Sequence, residues 1–338
     1  MSTGTVEIIA EERSAVRARD KLTVALAQIG GPWLDADARM ALIADSAVLA
    51  ASAGADVIAF PETYLSGYPI WLSRTDGAVF NDPLQKAAYA QHLDAAVVLG
   101  GERHRRLEHV AAETGLCLVV GITERGAQAG SGSTWATALT ITPHHGTVRA
   151  HRKLVPTHDE RMVWSPGDAA GLETVRVAGT DLGVLNCWEN WMSPARLALS
   201  AQGEQVHIGL WPGSAALTTD ITRFIALESR VFSLAVSGLT RLQDVRDDFV
   251  LADRLTRSEV PLSFDGGSGI ARPDGTWLIP PVTGAEGILV ADLDLSEVNA
   301  ARYTFDPTGH YSRGDIFDLR VNRGRRDLVT FVDGDTKR

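Results

Sequence analysis

The chain has 338 residues, of which 45% are hydrophobic and 22% are charged, and its formal net charge at pH 7 is −10. This composition is typical of a globular protein, and the negative charge argues against nucleic acid as a partner. The two cysteines are too few for a disulfide framework, and no apolar run is as long as a secretory signal or a membrane span. We therefore expect a soluble cytoplasmic protein with no membrane partner.

Three parts of the chain differ in composition. Residues 1–20 are rich in charge and predict a flexible N-terminal tail, and residues 321–338 predict a C-terminal tail. Between them, residues 21–320 contain no low-complexity linker, no charge block and no repeat of fixed period. This middle part therefore predicts a single domain.

The first part of this domain alternates apolar runs with helical patterns. An Asp35 cap and a Gly54 stop frame a helix between two apolar strands, so the domain begins as a β-α-β unit. The predicted elements are, in order, a strand at 22–27, a helix at 35–54, a strand at 57–60, helices at 83–93 and 102–113, and a strand at 117–122.

Strands follow one another more closely later in the chain. Predicted hairpins join 134–142 to 148–152 and 270–272 to 276–279, and a turn at 178–181 joins 173–177 to 183–186. Between them lie a predicted helix at 194–202, a strand at 206–210 and a helix at 220–232. Together these elements predict an α/β fold with helices on a mixed sheet.

Cys187 stands where an apolar strand stops and two tryptophans and a carboxylate follow. A thiol is the most nucleophilic side chain available near neutral pH once a base or a cation makes it a thiolate. The other cysteine, Cys117, lies inside an apolar run that predicts a buried strand, where a thiol packs as a small apolar group. We therefore predict that Cys187 is a nucleophile and that Cys117 is structural.

Two further sets of ionisable groups follow predicted strand ends. Glu62 comes directly after the strand at 57–60 and a proline, and residues 151–161 leave a predicted hairpin with a dense set of charges. Loops at one edge of a sheet converge, so these groups are candidates for a shared site. If each set is taken singly, Glu62 can be explained as an ordinary surface glutamate and residues 151–161 as a solvated charge run.

Together these motifs resemble the nitrilase superfamily of carbon–nitrogen hydrolases, over about residues 21–319. The matching segments are Phe60-Pro61-Glu62, His151-Arg152-Lys153, the stretch at 156–161 and Asn186-Cys187-Trp188-Glu189. The resemblance implies a catalytic set of Glu62, Lys153 and Cys187, with Glu160 as a second glutamate. It also implies a four-layer α-β-β-α sandwich with mixed sheets, no cofactor, and a homodimer or larger homo-oligomer with the helices near 194–202 and 220–232 at the dimer face.

The residues after Cys187 point to one branch of this superfamily. Amidase-like and carbamoyl-hydrolase-like members tend to carry an aspartate and an arginine after the cysteine, whereas this chain continues with Trp188-Glu189-Asn190. The resemblance therefore implies a nitrilase, which converts a small-molecule nitrile and water to the carboxylic acid and ammonia through a thioimidate and a thioester. Ser193 departs from the nitrilase pattern, which usually has methionine directly before the proline.

Three alternative functions remain open. The same Glu-Lys-Cys set serves an amidase or an N-carbamoyl hydrolase. A nitrile-hydrating enzyme releases the amide, because its tetrahedral intermediate expels sulfur instead of ammonia. A non-catalytic binding protein with the same fold is the third alternative, and the intact set of Glu62, Lys153, Glu160 and Cys187 argues against it.

Aromatic residues lie near the predicted catalytic positions along the chain, and a flat apolar surface suits an alkyl or aryl nitrile. Tyr68, Trp164 and Trp188 match pocket positions of the family that the chain resembles, and Trp211 and Pro212 follow the strand at 206–210. Core packing is the competing explanation, above all for Trp71 and Trp211. We expect no metal site, because none of the nine histidines falls in a His-x-x-x-His spacing.

Overall fold

The computed structural model describes residues 6–15, 20–127 and 130–325. Its strands are β1 (Ile8–Glu12), β2 (Lys21–Gln28), β3 (Val57–Ala59), β4 (Val97–Val98), β5 (Cys117–Arg125), β6 (Thr134–Thr142), β7 (Gly146–Arg152), β8 (Val175–Val177), β9 (Thr180–Asn186), β10 (Val206–Trp211), β11 (Phe232–Ser237), β12 (Gly266–Ala271), β13 (Trp277–Thr283) and β14 (Gly287–Asp294). Its α-helices are α1 (Ala36–Ser52), α2 (Trp71–Arg74), α3 (Pro83–Ala95), α4 (Glu102–Thr114), α5 (Ser193–Ser200), α6 (Ala215–Ser229), α7 (Ala252–Arg257) and α8 (Ser296–Arg302). Most of the C-terminal tail predicted at 321–338 lies outside the described residues.

The first sheet has eight strands and is mixed, as the sequence predicts. β2, β3 and β5 run parallel at its centre, and β14 and β6 flank them in the antiparallel direction. β1 and β7 form the two edges, and the short β4 pairs with the end of β5. The hairpin predicted between 134–142 and 148–152 is the β6–β7 pair.

The second sheet has six strands in the order β13-β12-β11-β10-β9-β8. β9, β10 and β11 run parallel, and β12 returns antiparallel to β11. Parallel neighbours end at the same edge of a sheet, so the residues after β9 and β10 emerge side by side. Cys187 directly follows β9, and Trp211 is the last residue of β10.

Alternation along the strands explains how the two sheets stack. In β2, Leu22 and Val24 belong to a buried cluster that also contains Ile208 of the second sheet. Ala25 points to the other face and clusters with Ile43 of α1. The outer face of the second sheet packs on α5 and α6. The layers are therefore helix, sheet, sheet and helix, which confirms the four-layer sandwich.

Two local predictions, for Asp35 and for Cys117, are confirmed. Asp35 caps α1, because its side chain accepts a hydrogen bond from the backbone N–H of Ala38. Cys117 is 1% exposed and lies in the cluster between the two sheets. Across residues 6–15, 20–127 and 130–325, no helix combines the length and the apolar character needed to cross a membrane.

Two elements differ from the sequence prediction. Within the segment predicted as a flexible N-terminal tail, β1 pairs in parallel with β14 and adds an edge strand to the first sheet. The side chains of β1 are exposed or half-buried, so its backbone pairing with β14 holds it in place. Its sequence therefore lacks the alternation of apolar and polar residues that marks a strand. The helix predicted at 220–232 is α6, which begins at Ala215 and ends at Ser229, because Asp220 lies inside the helix and does not cap it.

Candidate active site

Four ionisable side chains from separate segments meet at one place in the fold. Glu62 follows β3, Lys153 follows β7, Cys187 follows β9, and Glu160 lies in the 3₁₀ helix His158–Met162. Each of the four has at most 3% of its surface exposed. The structure therefore brings together the four residues that the sequence singles out.

The ammonium group of Lys153 lies between two carboxylates. Its Nζ donates hydrogen bonds to Oε1 of Glu62 at 3.0 Å and to Oε2 of Glu160 at 2.7 Å. The sulfur of Cys187 and one carboxylate oxygen of each glutamate lie within 4.8 Å of one another. One cation is thus paired with two carboxylates, and a thiol lies beside them.

Burial changes the acidity of Glu62. Removal from water raises the pKa of its carboxyl group to about 8, because the charge of Lys153 offsets only part of this effect and the charge of Glu160 adds to it. Among the described residues, Oε2 of Glu62 has no hydrogen-bond partner. Glu62 therefore has both a raised proton affinity and an oxygen available to accept a proton.

The neighbouring charges keep Lys153 protonated. Burial alone lowers the pKa of a lysine, but the negative charges on the three surrounding groups outweigh this effect. The pKa of Lys153 consequently lies above its usual value. The site thus contains a permanent positive charge at neutral pH.

Cys187 combines a strained backbone with a poorly acidic thiol. Its φ is +50°, a left-handed conformation that costs a non-glycine residue on the order of 1 kcal/mol. Burial raises the pKa of the thiol well above its usual value; the ammonium of Lys153 opposes this rise, and the two carboxylates add to it. The backbone N–H of Trp188 lowers the pKa of the thiol and so favours the thiolate. The thiol therefore needs a neighbouring base, and Glu62 is within reach.

The carboxylate of Glu160 is fixed on both oxygens. The hydroxyl of Tyr68 donates to Oε1 at 2.7 Å, and the backbone N–H of Thr157 donates to Oε2 at 2.6 Å. Oε2 also accepts the hydrogen bond from Lys153. A buried carboxylate with both oxygens occupied suits the role of holding the lysine in place.

A third buried carboxylate in this region, Glu189, connects two of the segments that carry the four ionisable residues. Its Oε2 lies 2.9 Å from Nε2 of His151 and accepts the backbone N–H of Asn186 at 3.0 Å. Its Oε1 accepts the backbone N–H of Leu154 at 2.8 Å. Glu189 thus ties the residues on both sides of Lys153 to the residue before the cysteine. No role is predicted for Glu189 or His151 from the sequence.

Two of the predicted pocket aromatics form a wall beside the charged groups. The rings of Tyr68 and Trp164 pack edge to face with their centroids 5.6 Å apart. The Nζ of Lys153 lies 5.8 Å from the ring centroid of Trp164. Within the described part of the chain, the indole Nε1 of Trp164 has no hydrogen-bond partner although the residue is 2% exposed. This wall offers an apolar surface with one unused donor.

The other predicted pocket residues lie in different environments. Trp211 and Pro212 are buried, and Trp211 belongs to the same apolar cluster as Cys187. Trp188 differs, because 48% of its surface is exposed, although its backbone N–H reaches the sulfur. Trp71 packs against other aromatic rings in the core cluster that also contains Trp164, as the core-packing explanation predicts.

Metal binding by this site can be tested on its donor atoms. Glu62, Glu160 and Cys187 form a group of three potential ligands within the ranges that the structure describes. The ammonium of Lys153, however, already lies 3.0 and 2.7 Å from the two carboxylates. A metal cation bound there would lie close to that ammonium and be repelled by it. The donor set therefore suits a thiol nucleophile with charged partners better than a metal.

Comparisons with known proteins agree with this arrangement. A family model for carbon–nitrogen hydrolases matches residues 23–303, which include all four buried ionisable residues. The chain is 33% identical over 281 residues to an arylacetonitrilase from Trametes versicolor, covering 79% of this chain and 86% of that protein. It is 33% identical over 286 residues to an aliphatic nitrilase from Sinorhizobium fredii, covering 83% of this chain and 89% of that protein. Among solved structures, an amidase from Nesterenkonia sp. has the same fold, with a TM-score of 0.61 at 20% identity over 90% of this chain and 98% of that chain.

Proposed function

The chain belongs to the carbon–nitrogen hydrolase family, and on this premise we propose that it is a nitrilase that hydrolyses an organic nitrile to the carboxylic acid and ammonia. One observation carries the proposal: the ammonium of Lys153 lies between Glu62 and Glu160, next to the thiol of Cys187. Relatives named as nitrilases, each aligned over most of the chain, support the choice of a nitrile. The structurally similar amidase is only 20% identical and supports the fold alone.

The first step is attack of the Cys187 sulfur on the nitrile carbon. Oε2 of Glu62 accepts the thiol proton, and the raised pKa of this carboxyl group makes it a stronger base than an ordinary glutamate. As the sulfur–carbon bond forms, one π bond of the nitrile opens and Glu62 returns the proton to the nitrogen. The product is a neutral thioimidate on Cys187.

The following steps add two water molecules. The first water adds to the thioimidate carbon while Glu62 accepts its proton and passes a proton to the nitrogen. The resulting tetrahedral intermediate loses ammonia and leaves a thioester on Cys187. A second water, again deprotonated by Glu62, releases the carboxylic acid and returns a proton to the sulfur. Nitrogen leaves only as ammonia, so acid and ammonia form in equal amounts.

Lys153 and the backbone N–H of Trp188 stabilise the negative charge that develops during these steps. A fixed ammonium and a fixed N–H in a buried site stabilise such charge better than mobile water does. Glu160 contacts Lys153 directly and is itself held by Tyr68 and Thr157. Its role is to keep the ammonium in position.

We assign the group beyond the nitrile carbon to the aromatic wall. Tyr68 and Trp164 present flat apolar surface next to Lys153, and Trp211, which Pro212 follows, lies in the apolar cluster that contains Cys187. Such a lining suits an alkyl or aryl substituent. We further propose that β1 and residues 21–320 form a single domain and that the protein is a cytoplasmic homo-oligomer.

An ammonia-release assay tests this function. Aliphatic, arylaceto- and aromatic nitriles are each incubated with the protein beside their matching amides, and the acid, the amide and ammonia are quantified. We expect equal amounts of acid and ammonia from at least one nitrile, and slower release from its amide. Turnover of amides alone would replace the assignment with an amidase, and amide as the main product from a nitrile would indicate hydration.

A further inference from the structure

Three buried side chains form a hydrogen-bonded series that ends on the backbone carbonyl of Cys187. Oε1 of Glu204 lies 2.8 Å from Nδ1 of His207, and Nε2 of His207 lies 2.7 Å from Oδ1 of Asn190. The side-chain Nδ2 of Asn190 then donates to the carbonyl oxygen of Cys187 at 2.7 Å. Glu204, His207 and Asn190 are at most 1% exposed. The mechanism described above uses none of these side chains.

Strands β9 and β10 leave room for these three side chains. A Cβ atom added at Gly183 in β9 would lie 1.8 Å from Oε1 of Glu204. A Cβ atom added at Gly209 in β10 would lie 3.1 Å from Oδ1 of Asn190. Both strands therefore have a glycine, with no side chain, where the polar groups pass. Burying polar groups is costly unless they are hydrogen-bonded. This arrangement favours a specific role over incidental packing.

The hydrogen bonds that link these three side chains have a defined direction. Because Nδ2 of Asn190 donates to Cys187, its Oδ1 is left to accept, and the Nε2 of His207 must carry the donated hydrogen. The other ring nitrogen, Nδ1, lies 2.8 Å from Oε1 of Glu204, and a hydrogen between these two atoms completes the series. Glu204 thus holds the ring of His207, and the ring holds the amide of Asn190 in one of its two possible orientations.

The orientation of the Cys187 carbonyl decides where the next N–H points. The carbonyl of Cys187 and the N–H of Trp188 belong to one planar trans peptide group, so they point in opposite directions. This N–H favours the Cys187 thiolate, and in the proposed reaction it also stabilises the developing negative charge. Cys187 has a φ of +50°, so its peptide groups need an external contact to hold them there. Asn190 supplies that contact.

We propose that Glu204, His207 and Asn190 are positioning residues, which orient the Cys187–Trp188 peptide so that its N–H serves the reacting atoms. This inference rests on the proposed function for the reaction that the N–H assists. It assigns to Asn190 the contact with the peptide, to His207 the orientation of the amide, and to Glu204 the orientation of the imidazole.

A matched pair of substitutions at His207 tests the proposal. Gln at this position places its amide N–H near the site of Nε2 and keeps a donor for Asn190, whereas Asn places its amide near Nδ1 and leaves Asn190 without that donor. We expect His207→Asn to lower kcat by about tenfold or more with KM changed less than about threefold, and His207→Gln to retain more of kcat. His104→Asn is the control, because His104 is also a buried, hydrogen-bonded histidine but lies on α4, outside the site.

Asn190→Asp gives a second, direct test. Aspartate keeps the acceptor for His207 but replaces the N–H that holds the Cys187 carbonyl with an oxygen, and we expect a loss of kcat on the order of 10²-fold. If this variant does not fold, the His207 pair decides. A kcat within about twofold of wild type in folded Asn190→Asp, or His207→Asn as active as His207→Gln, would overturn the proposal.

Alkylation of Cys187 by iodoacetamide separates this proposal from the proposed function, because it needs no nitrile. If the wild-type protein releases no ammonia from any nitrile, the proposed function fails while the alkylation rates still rank the variants. Loss of the N–H to the sulfur disfavours the thiolate, so we expect slower alkylation in His207→Asn than in His207→Gln. Equal rates in the two folded variants would count against the positioning role.

Discussion

The Oε2 atom of Glu189 lies 2.9 Å from Nε2 of His151, and both side chains are at most 2% exposed. This contact joins the end of β7, which precedes Lys153, to the turn that carries Cys187. Two backbone N–H groups, of Asn186 and Leu154, donate to the same carboxylate. The spacing between the ammonium of Lys153 and the thiol of Cys187 therefore depends on a residue outside the proposed catalytic set.

Glu189→Gln is expected to weaken both stability and activity. An amide cannot accept all three hydrogen bonds, so we predict a loss of about 1–3 kcal/mol in the free energy of unfolding. The two catalytic segments also shift relative to each other, and we predict that kcat falls about tenfold or more. Urea unfolding and steady-state kinetics measure the two effects. Glu124→Gln is the control, because Glu124 is equally buried and accepts from Thr137 and Arg152; its kcat is expected to stay near that of wild type.

Tyr68→Phe removes the hydroxyl that donates to Oε1 of Glu160. The ring still packs on Trp164, so the pocket keeps its shape while a buried carboxylate oxygen loses its partner. We expect kcat to fall by about tenfold as Lys153 becomes less well held, with a smaller change in KM. Tyr89→Phe, which removes a hydroxyl bonded to the exposed carbonyl of Gly132, is the matched control and should keep wild-type kinetics. Equal kinetics in the two variants would refute the role given to Tyr68.

Lys153→Met leaves Glu62 and Glu160 buried without their cation. Removing one partner of a buried ion pair typically costs about 3–5 kcal/mol, so we expect a marked fall in the free energy of unfolding. Turnover should drop by a factor of about 10² or more, because the developing charge loses its stabilising ammonium. Lys21→Met is the comparison, since Lys21 pairs with Asp292 but is partly exposed; it should cost about 1 kcal/mol or less.

The raised pKa of Glu62 predicts how activity depends on pH. Glu62 acts as a base only when ionised, and its pKa is about 8, so kcat/KM should rise with pH and level off above about pH 8. A pH profile of kcat/KM for a neutral nitrile measures this rise. A flat profile between pH 6 and 9 would be inconsistent with Glu62 as the base.

The same pKa predicts how stability depends on pH. The ordinary pKa of this carboxyl group is 4.5, and in the folded protein it is about 8, so the folded state binds the extra proton between these values. Its contribution to stability is fully present below pH 4.5 and is lost as the pH rises through 8. Glu62→Gln should reduce this decline by up to about 1.4 kcal/mol per pH unit. Chemical unfolding of both proteins across this pH range checks the prediction, and identical slopes would contradict it.

The sequence locates the proposed catalytic residues because local patterns mark them. Glu62 and Cys187 directly follow apolar strands, and a strand end can be recognised without knowing the rest of the fold. The contacts that hold these residues join distant parts of the chain: His151 and Glu189 are 38 positions apart, and Tyr68 and Glu160 are 92 apart. No local pattern indicates such pairs.

The sheet order also depends on contacts between distant segments. β14 pairs with β2 and β1 pairs with β14, so both ends of the described chain complete one sheet. The sequence of β1 shows no alternation of apolar residues, because its side chains are exposed or half-buried. Helix α1, in contrast, is marked by the Asp35 cap and the Gly54 stop, and its position follows from these local signals.

The most direct test of Cys187 as the nucleophile is mass spectrometry of the protein during nitrile turnover, combined with ammonia release by two cysteine variants. We predict an acyl or imidoyl adduct on Cys187 in the wild-type protein, and no ammonia above background from Cys187→Ala. Cys117→Ala is the control: Cys117 is buried between the sheets, and burial raises the pKa of its thiol to about 12, so this variant should keep its turnover. Near-normal ammonia release from Cys187→Ala would contradict the mechanism.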